Sequence, residues 1–224
     1  MENHLLTIKE NTKLRVKDLG LINYSNAYDV QKQHVNELLN GGVQTLLLCE
    51  HPTTLTFGRL ANERHVLITK EELERRGVYV YHIDRGGDIT LHTPGQLVAY
   101  PILRLDNFGK DLRFYLYQLE QVAIDLLEGF DIVSSRFPKQ TGVWSGKQKI
   151  VSIGIGVRKW ITFHGLALNV NPDLTLFSMI KPCGLDVKMT SILEIKKITV
   201  PMQEVKKRII ECFCKNFHIT TEGE

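Results

Sequence analysis

The sequence predicts an α+β fold, a mixed and largely antiparallel central sheet flanked by helices, with all 224 residues in a single domain. Three observations lead there. Short apolar runs of strand length are interspersed with helical-period segments, and their order lacks the regular βαβα alternation of a doubly wound parallel sheet. Some of those runs are separated only by tight breaks such as Thr93-Pro94-Gly95 and Arg158-Lys159, which read as antiparallel connections. No linker, repeat or composition break divides the chain, and 43% apolar with 24% charged residues suits a globular core.

Taken in order, residues 14–19 alternate as a strand ending at Gly20. Ser25 is placed to cap a helix that runs to about Asn40 and stops at Gly41-Gly42. Residues 45–49 form a continuous apolar run, as in a strand buried on both faces. After the break at His51-Pro52, residues 55–59 read as a short strand or loop. Thr69 and Glu72 make a capping box for a helix ending at Gly77. Strands are expected at 78–83, at 88–92 and at 97–103, the last two forming a hairpin.

Leu112, Tyr115, Leu116, Leu119, Val122, Ala123, Leu126 and Leu127 recur at three- and four-residue steps and predict the longest helix, stopped by Gly129. A strand near Ile132-Val133 and a hairpin of 149–157 with 160–170 follow. Pro201 opens a C-terminal helix marked by Val205, Ile209, Ile210 and Phe213. Cys212 and Cys214, on that helix, read as packing residues.

Composition excludes several functions. Twenty-eight basic against 25 acidic side chains give a net charge of +3, and no Lys/Arg block suggests nucleic-acid binding. No apolar run approaches the roughly 20 residues of a membrane span, and the polar N-terminus does not resemble a signal peptide. The cysteines (Cys49, Cys183, Cys212, Cys214) are scattered, which suits a reducing cytoplasm and no disulfide framework. Without HExxH, a ligand-like histidine pair, a Walker A loop or GxGxxG, neither metal nor nucleotide cofactor is expected.

The residues that could carry chemistry cluster between Lys149 and Cys183. Cys183 sits between Pro182 and Gly184, where the backbone is restricted on one side and permissive on the other, a way to expose a thiol at a turn. An exposed thiolate attacks carbonyls, whereas most free cysteines are small buried hydrophobes; the pattern allows both. Lys149 opens an apolar strand and would stabilise a thiolate or, desolvated, accept a proton; a solvated strand-end lysine is the alternative. Alternation puts Lys149 with Val151, Ile153 and Ile155, and Gly154 and Gly156 on the other face, where a ligand or a second backbone could approach. For Lys149 and that face to serve one pocket, the strand must bulge near Ser152 or the site must lie at its end. His92 and His164, each before a small or turn-forming residue, could line a polar rim.

Together these stretches resemble the octanoyltransferases of lipoate biosynthesis, in the lipoate/biotin protein ligase superfamily. The matching segments are HPTTLTFGR from His51, RGGDITLHTPGQLVAYPI from Arg85, KIVSIGIGVRKWITFHGLALNV from Lys149 and KPCGL from Lys181. The resemblance implies the fold of the lipoate and biotin ligase catalytic domain, no cofactor, and a Cys183–Lys149 dyad. Cys183 would take an octanoyl group from octanoyl-acyl carrier protein and pass it to a lysine of lipoyl domains, those of 2-oxoacid dehydrogenases and the glycine cleavage H protein. The implied substrate-binding residues are Arg85, Gly86, Gly87, Asp88, Ile89, Thr90, Leu91 and His92, then Ser152, Ile153 and Gly154, then Gly165, Leu166 and Ala167, with His164 a possible addition. The family usually reads RGGQVTYHGPGQ; here Asp88, Leu91 and Thr93 stand in place of Gln, Tyr and Gly. Asp88 and Leu91 are expected to reshape the wall, and Thr93 to narrow the pocket beside His92. An ATP-dependent ligase, an octanoyl amidotransferase and a non-catalytic carrier-binding module are the competing readings.

Overall fold

Three apolar strands fix the layout: β2 (Gln44–Glu50), β6 (Gln96–Ile102) and β10 (Ile161–Asn169). Their near-continuous hydrophobic runs can be satisfied only where both faces are covered, and they are neighbours at the centre of an eight-stranded sheet. Within each strand, alternate residues enter two different cores. Leu46, Leu97 and Leu168 face one, while Leu47, Val98 and Ala167 face the other. The computed structural model describes residues 13–181 and 187–222.

β1 (Lys13–Leu21) runs parallel to β2, and β11 (Thr220–Thr221) parallel to β1. From β2 onward the pairing is antiparallel through β6, β10, β9 (Gln148–Arg158), β8 (Gln140–Ser145) and β7 (Ser135–Phe137). A smaller sheet places β3 (Thr54–Phe57) between β4 (Tyr79–His82) and β5 (Ile89–His92). The mixed, mainly antiparallel architecture agrees with the sequence reading.

α1 (Tyr24–Leu39) covers one face of the large sheet through Ala27, Val35 and Leu38. α3 (Leu112–Glu128) and α5 (Met202–Phe217) cover the other, where Leu119, Val122 and Leu126 meet Ile209, Phe213 and Phe217. Each such fully buried aliphatic or aromatic side chain contributes about 1.5–3 kcal/mol of transfer free energy. Asp111 caps α3, its carboxylate accepting from the amides of Arg113 and Phe114. Thr69 caps α2 (Lys70–Arg75) as its sequence predicts, and Ser191 caps α4 (Ile192–Lys196). Cys212 and Cys214 are half-buried and pack against the α3–α5 core.

Three local expectations need correcting. α1 begins at Tyr24 with Asn23 in the cap position, so Ser25 lies inside its first turn. The strand foreseen at Ile132-Val133 is irregular chain: Ile132 is buried but Val133 is 90% exposed, and pairing starts only at Ser135. β5 and β6 do not form a hairpin. β5 pairs with β3, because Ile89 and Leu91 belong to a third core with Leu55 and Phe57, while β6 is needed at the centre of the large sheet. The chain crosses between sheets at Gly95 (φ 86), whose amide donates to Glu50 and whose side, if it carried a Cβ, would strike the Asn171 carbonyl at 2.5 Å.

Candidate active site

β9 and β10 meet the smaller sheet at a pocket, and the turn Arg85-Gly86-Gly87 makes the junction. The Gly86 amide donates to the Ile155 carbonyl at 2.8 Å. Gly154 permits this contact, since a Cβ there would lie 3.0 Å from Arg85 Cδ and 3.1 Å from the Gly86 oxygen. The Arg85 guanidinium is buried and turned inward, donating to the Thr56 carbonyl and hydroxyl and to the Gly86 carbonyl. It therefore braces the turn and supplies buried positive charge beside the pocket.

The pocket collects most of the foreseen residues: Arg85, Gly87, Asp88, Ile89, Thr90, His92, Ser152, Ile153, Gly154, Gly165, Leu166 and Ala167, together with Lys149 and His164. Gly86 lines the adjoining cleft toward α3 and the β7–β8 turn. Leu91 faces away from the pocket into the core of the smaller sheet, one residue out of phase with Thr90 and His92. Thr93 is not in the lining either; its hydroxyl lies 3.5 Å from that of Thr53, so it does not narrow the pocket. Val98 and Tyr100 of β6 complete the wall and were missed. The signal for Tyr100 was a hydroxyl inside an otherwise apolar central strand, which needs a buried partner.

Lys149 reaches the glycine face because the β8–β9 ladder slips. Val143 pairs with Val151, but Trp144 pairs with Lys149, so β9 carries one extra residue at that point. This is the bulge that a shared pocket requires, placed next to Lys149 rather than at Ser152. Lys149 is only 5% exposed, with its Nζ 5.0 Å from the Trp144 ring centre. Its amide donates to the Lys188 carbonyl and its carbonyl accepts from Thr190, both at 2.9 Å. Cys183 lies outside the described residues, which resume at Val187 just before this contact.

Histidines dominate the buried polar side of the pocket. His92 donates from Nδ1 to Gln96 Oε1 at 2.7 Å, and burial drives its pKa down to about 3, so the ring is neutral with Nε2 as an acceptor. His51 donates from Nδ1 to the Ile22 carbonyl and accepts the Tyr100 hydroxyl on Nε2; burial lowers its pKa to about 4. His92 and His164 are thus buried within the wall rather than on a rim, and His51 stands behind Tyr100, outside the lining. Because the folded-state values of His92 and His51 lie below the ordinary 6.5, the unfolded chain gains protons first as pH falls. Their contribution is complete above pH 6.5 and is lost on acidification toward 4 and 3. Below pH 6.5 each histidine is expected to cost up to about 1.4 kcal/mol per pH unit, read as a falling urea midpoint.

His164 holds φ 55 inside β10, where a non-glycine residue is strained. Its amide leaves the ladder for Gln31 Oε1 at 2.7 Å; continuous pairing with β6 ends at Leu166, near Pro101, which has no N–H. The ring donates from Nε2 to Asp84 at 3.0 Å, accepts from the Tyr24 hydroxyl on Nδ1 at 3.3 Å, and stacks on Tyr28. The hydrogen bond from His164 is the main reason the Asp84 carboxyl sits below its usual pKa, while burial lowers that of His164. The next residue is tighter still. A Cβ on Gly165 would lie 2.2 Å from the Ala99 carbonyl and 2.7 Å from Pro101 Cδ. Gly165→Ala is expected to cost about 2–3 kcal/mol in urea unfolding, and Gly154→Ala, which meets mainly a side chain, about 1 kcal/mol.

Among the described residues no group of three or more His, Cys, Asp or Glu side chains is placed to hold a metal ion. The family model described as lipoyl protein ligase A/B catalytic domain matches residues 23–214. The chain belongs to that family. Octanoyltransferases are similar over nearly their whole length: that of Desulforamulus reducens is 40% identical over 94% of this chain and 93% of its own. That of Caldicellulosiruptor saccharolyticus is 44% identical, over 92% and 89%. A bi-partite lipoate protein ligase from Thermoplasma acidophilum shares the fold, with a TM-score of 0.73 over 96% of this chain and 87% of that one at 14% identity. The lipoyl protein ligase A/B fold expected from the motifs is thus the one observed, and its pocket lies where the Arg85, Lys149 and His164 segments converge.

Proposed function

We propose that this protein transfers an octanoyl group from octanoyl-acyl carrier protein to a specific lysine of lipoyl domains, in the cytoplasm and through a thioester on Cys183. The observation that carries this reading is the setting of Lys149: a buried lysine in the wall of a glycine-lined pocket, bonded through its backbone to the segment that follows Cys183. The ammonium would stabilise the Cys183 thiolate. The thiolate attacks the donor thioester, the carbon–sulfur bond to the carrier breaks, the carrier thiol leaves with a proton given up by Lys149, and the octanoyl group rests on sulfur. The acceptor ε-amine then attacks, an amide forms, and Cys183 is regenerated as Lys149 takes up the surplus proton. Acceptors of this chemistry are the lipoyl domains of 2-oxoacid dehydrogenases and the glycine cleavage H protein.

The pocket suits an acyl chain: Ile89, Val98, Leu166 and Ala167 supply apolar wall, and the glycines leave space. A thioester donor is already activated, so no nucleotide is needed. Relatives named octanoyltransferase stand far nearer in sequence than the lipoate ligase of known structure, which favours transfer over adenylation. The reading is tested with apo lipoyl domain, octanoyl-acyl carrier protein and no ATP. Octanoylation of the domain is expected; modification that requires ATP and free octanoate assigns the protein to the ligases instead.

A further inference from the structure

We propose that His65 and Asp88 act as one positioning unit that sets the acyl-chain length the pocket accepts; this rests on the pocket being the acyl site. Asp88 is nearly buried and lies in the pocket wall directly after Gly87. Its Oδ1 accepts from the Asn62 amide at 2.9 Å, and its Oδ2 lies 2.5 Å from His65 Nδ1, which must donate because an ionised carboxylate only accepts. His65 closes the short 3-10 turn Glu63–His65 and lines no part of the pocket.

The strip around that turn is fastened on both sides. Gly58, Arg59 and Leu60 donate backbone bonds to the carbonyls of Asp88, Arg85 and Gly87. On the other side the His65 carbonyl accepts from Lys181 at 2.7 Å, and Leu67 donates to Met179 at 2.8 Å. His65 therefore stands between the pocket wall and the 179–181 segment, and the carboxylate of Asp88 grips it from the wall by a hydrogen bond. A carboxylate held by two donors has one orientation; with one donor removed it is free to turn, and the stretch of wall that the Asp88 side chain forms changes shape while β5 stays paired with β3.

The test uses His65→Ala, Asp88→Ala, the double variant and His65→Asn, whose amide nitrogen replaces Nδ1 as donor. Two readouts are taken with six-, eight- and ten-carbon chains: acyl-transfer rates from the carrier thioesters, and dissociation constants for the free fatty acids. Thermal melting confirms that each variant folds. Both alanine variants are expected to lose octanoyl-over-decanoyl preference by about fivefold, a part of the roughly 10–200-fold that one methylene is worth in an apolar pocket. The double variant should lose no more than either single one, and His65→Asn should stay within about twofold of wild type, the behaviour of a coupled pair. An unchanged chain-length profile in His65→Ala, or an equal loss across all three chains, overturns the proposal. If wild type transfers no acyl group, the functional reading fails while the fatty-acid constants still decide the pair. Transfer of no chain together with binding of none of the three acids overturns both.

Discussion

Cys183→Ala is expected to reduce octanoyl transfer by at least about 10³-fold and to leave the fold intact, since a covalent route has no substitute for its nucleophile. Cys49 and Cys212 cannot take over. Cys49 is fully buried, with its thiol pKa pushed far upward by desolvation, and Cys212 is pushed up to about 11 for the same reason. Neither lines the pocket. Single-turnover transfer to an apo lipoyl domain measures the effect, and urea unfolding of the same variant should coincide with wild type. Transfer that persists within tenfold of wild type would remove Cys183 from the mechanism.

Lys149→Met should cost about 10²–10³-fold in kcat, the range typical of a removed proton-transfer or charge-stabilising group, with a smaller change in KM. Methionine keeps the aliphatic stem that the bulged strand requires and deletes the charge. Arginine is not a conservative replacement. The stem already runs so close to Gly142 that a Cβ there would fall 2.7 Å from Lys149 Cε, and a planar guanidinium needs more room than an ammonium. The pH dependence separates electrostatics from packing. If Lys149 stabilises the Cys183 thiolate as proposed, that thiolate forms at higher pH without the charge, so the midpoint of iodoacetamide alkylation should move upward in Lys149→Met. An unmoved midpoint would assign Lys149 a role in proton delivery alone.

Periodicity made the scaffold legible. The apolar repeat of α3 and the double-faced runs of β2 and β10 admit one kind of environment each, and the structure supplies it. Pairing was less legible. The short break between β5 and β6 suggests a hairpin, yet strand partners depend on which core each face enters, and β5 carries only one apolar face while β6 carries two. The same limit applies to the site. The Lys149, Arg85 and Gly165 segments stand out as glycine-rich turns and strands, but the slip that swings Lys149 toward the pocket is a property of its pairing with Trp144, far from visible in alternation alone. Leu91 was assigned to the wall with its whole motif, although strand alternation already separates it from Thr90 and His92. The role of Asp88 depends on His65, a residue that no motif marks and that only the tertiary structure brings to it.

The most direct test of the account is intact-protein mass spectrometry after mixing with octanoyl-acyl carrier protein, before and after a chase with apo lipoyl domain. The account predicts one octanoyl adduct on the wild-type chain, absent from Cys183→Ala and discharged quantitatively to the lipoyl domain. Octanoylated lipoyl domain formed with no adduct at any time point, or an adduct that Cys183→Ala retains, would contradict it.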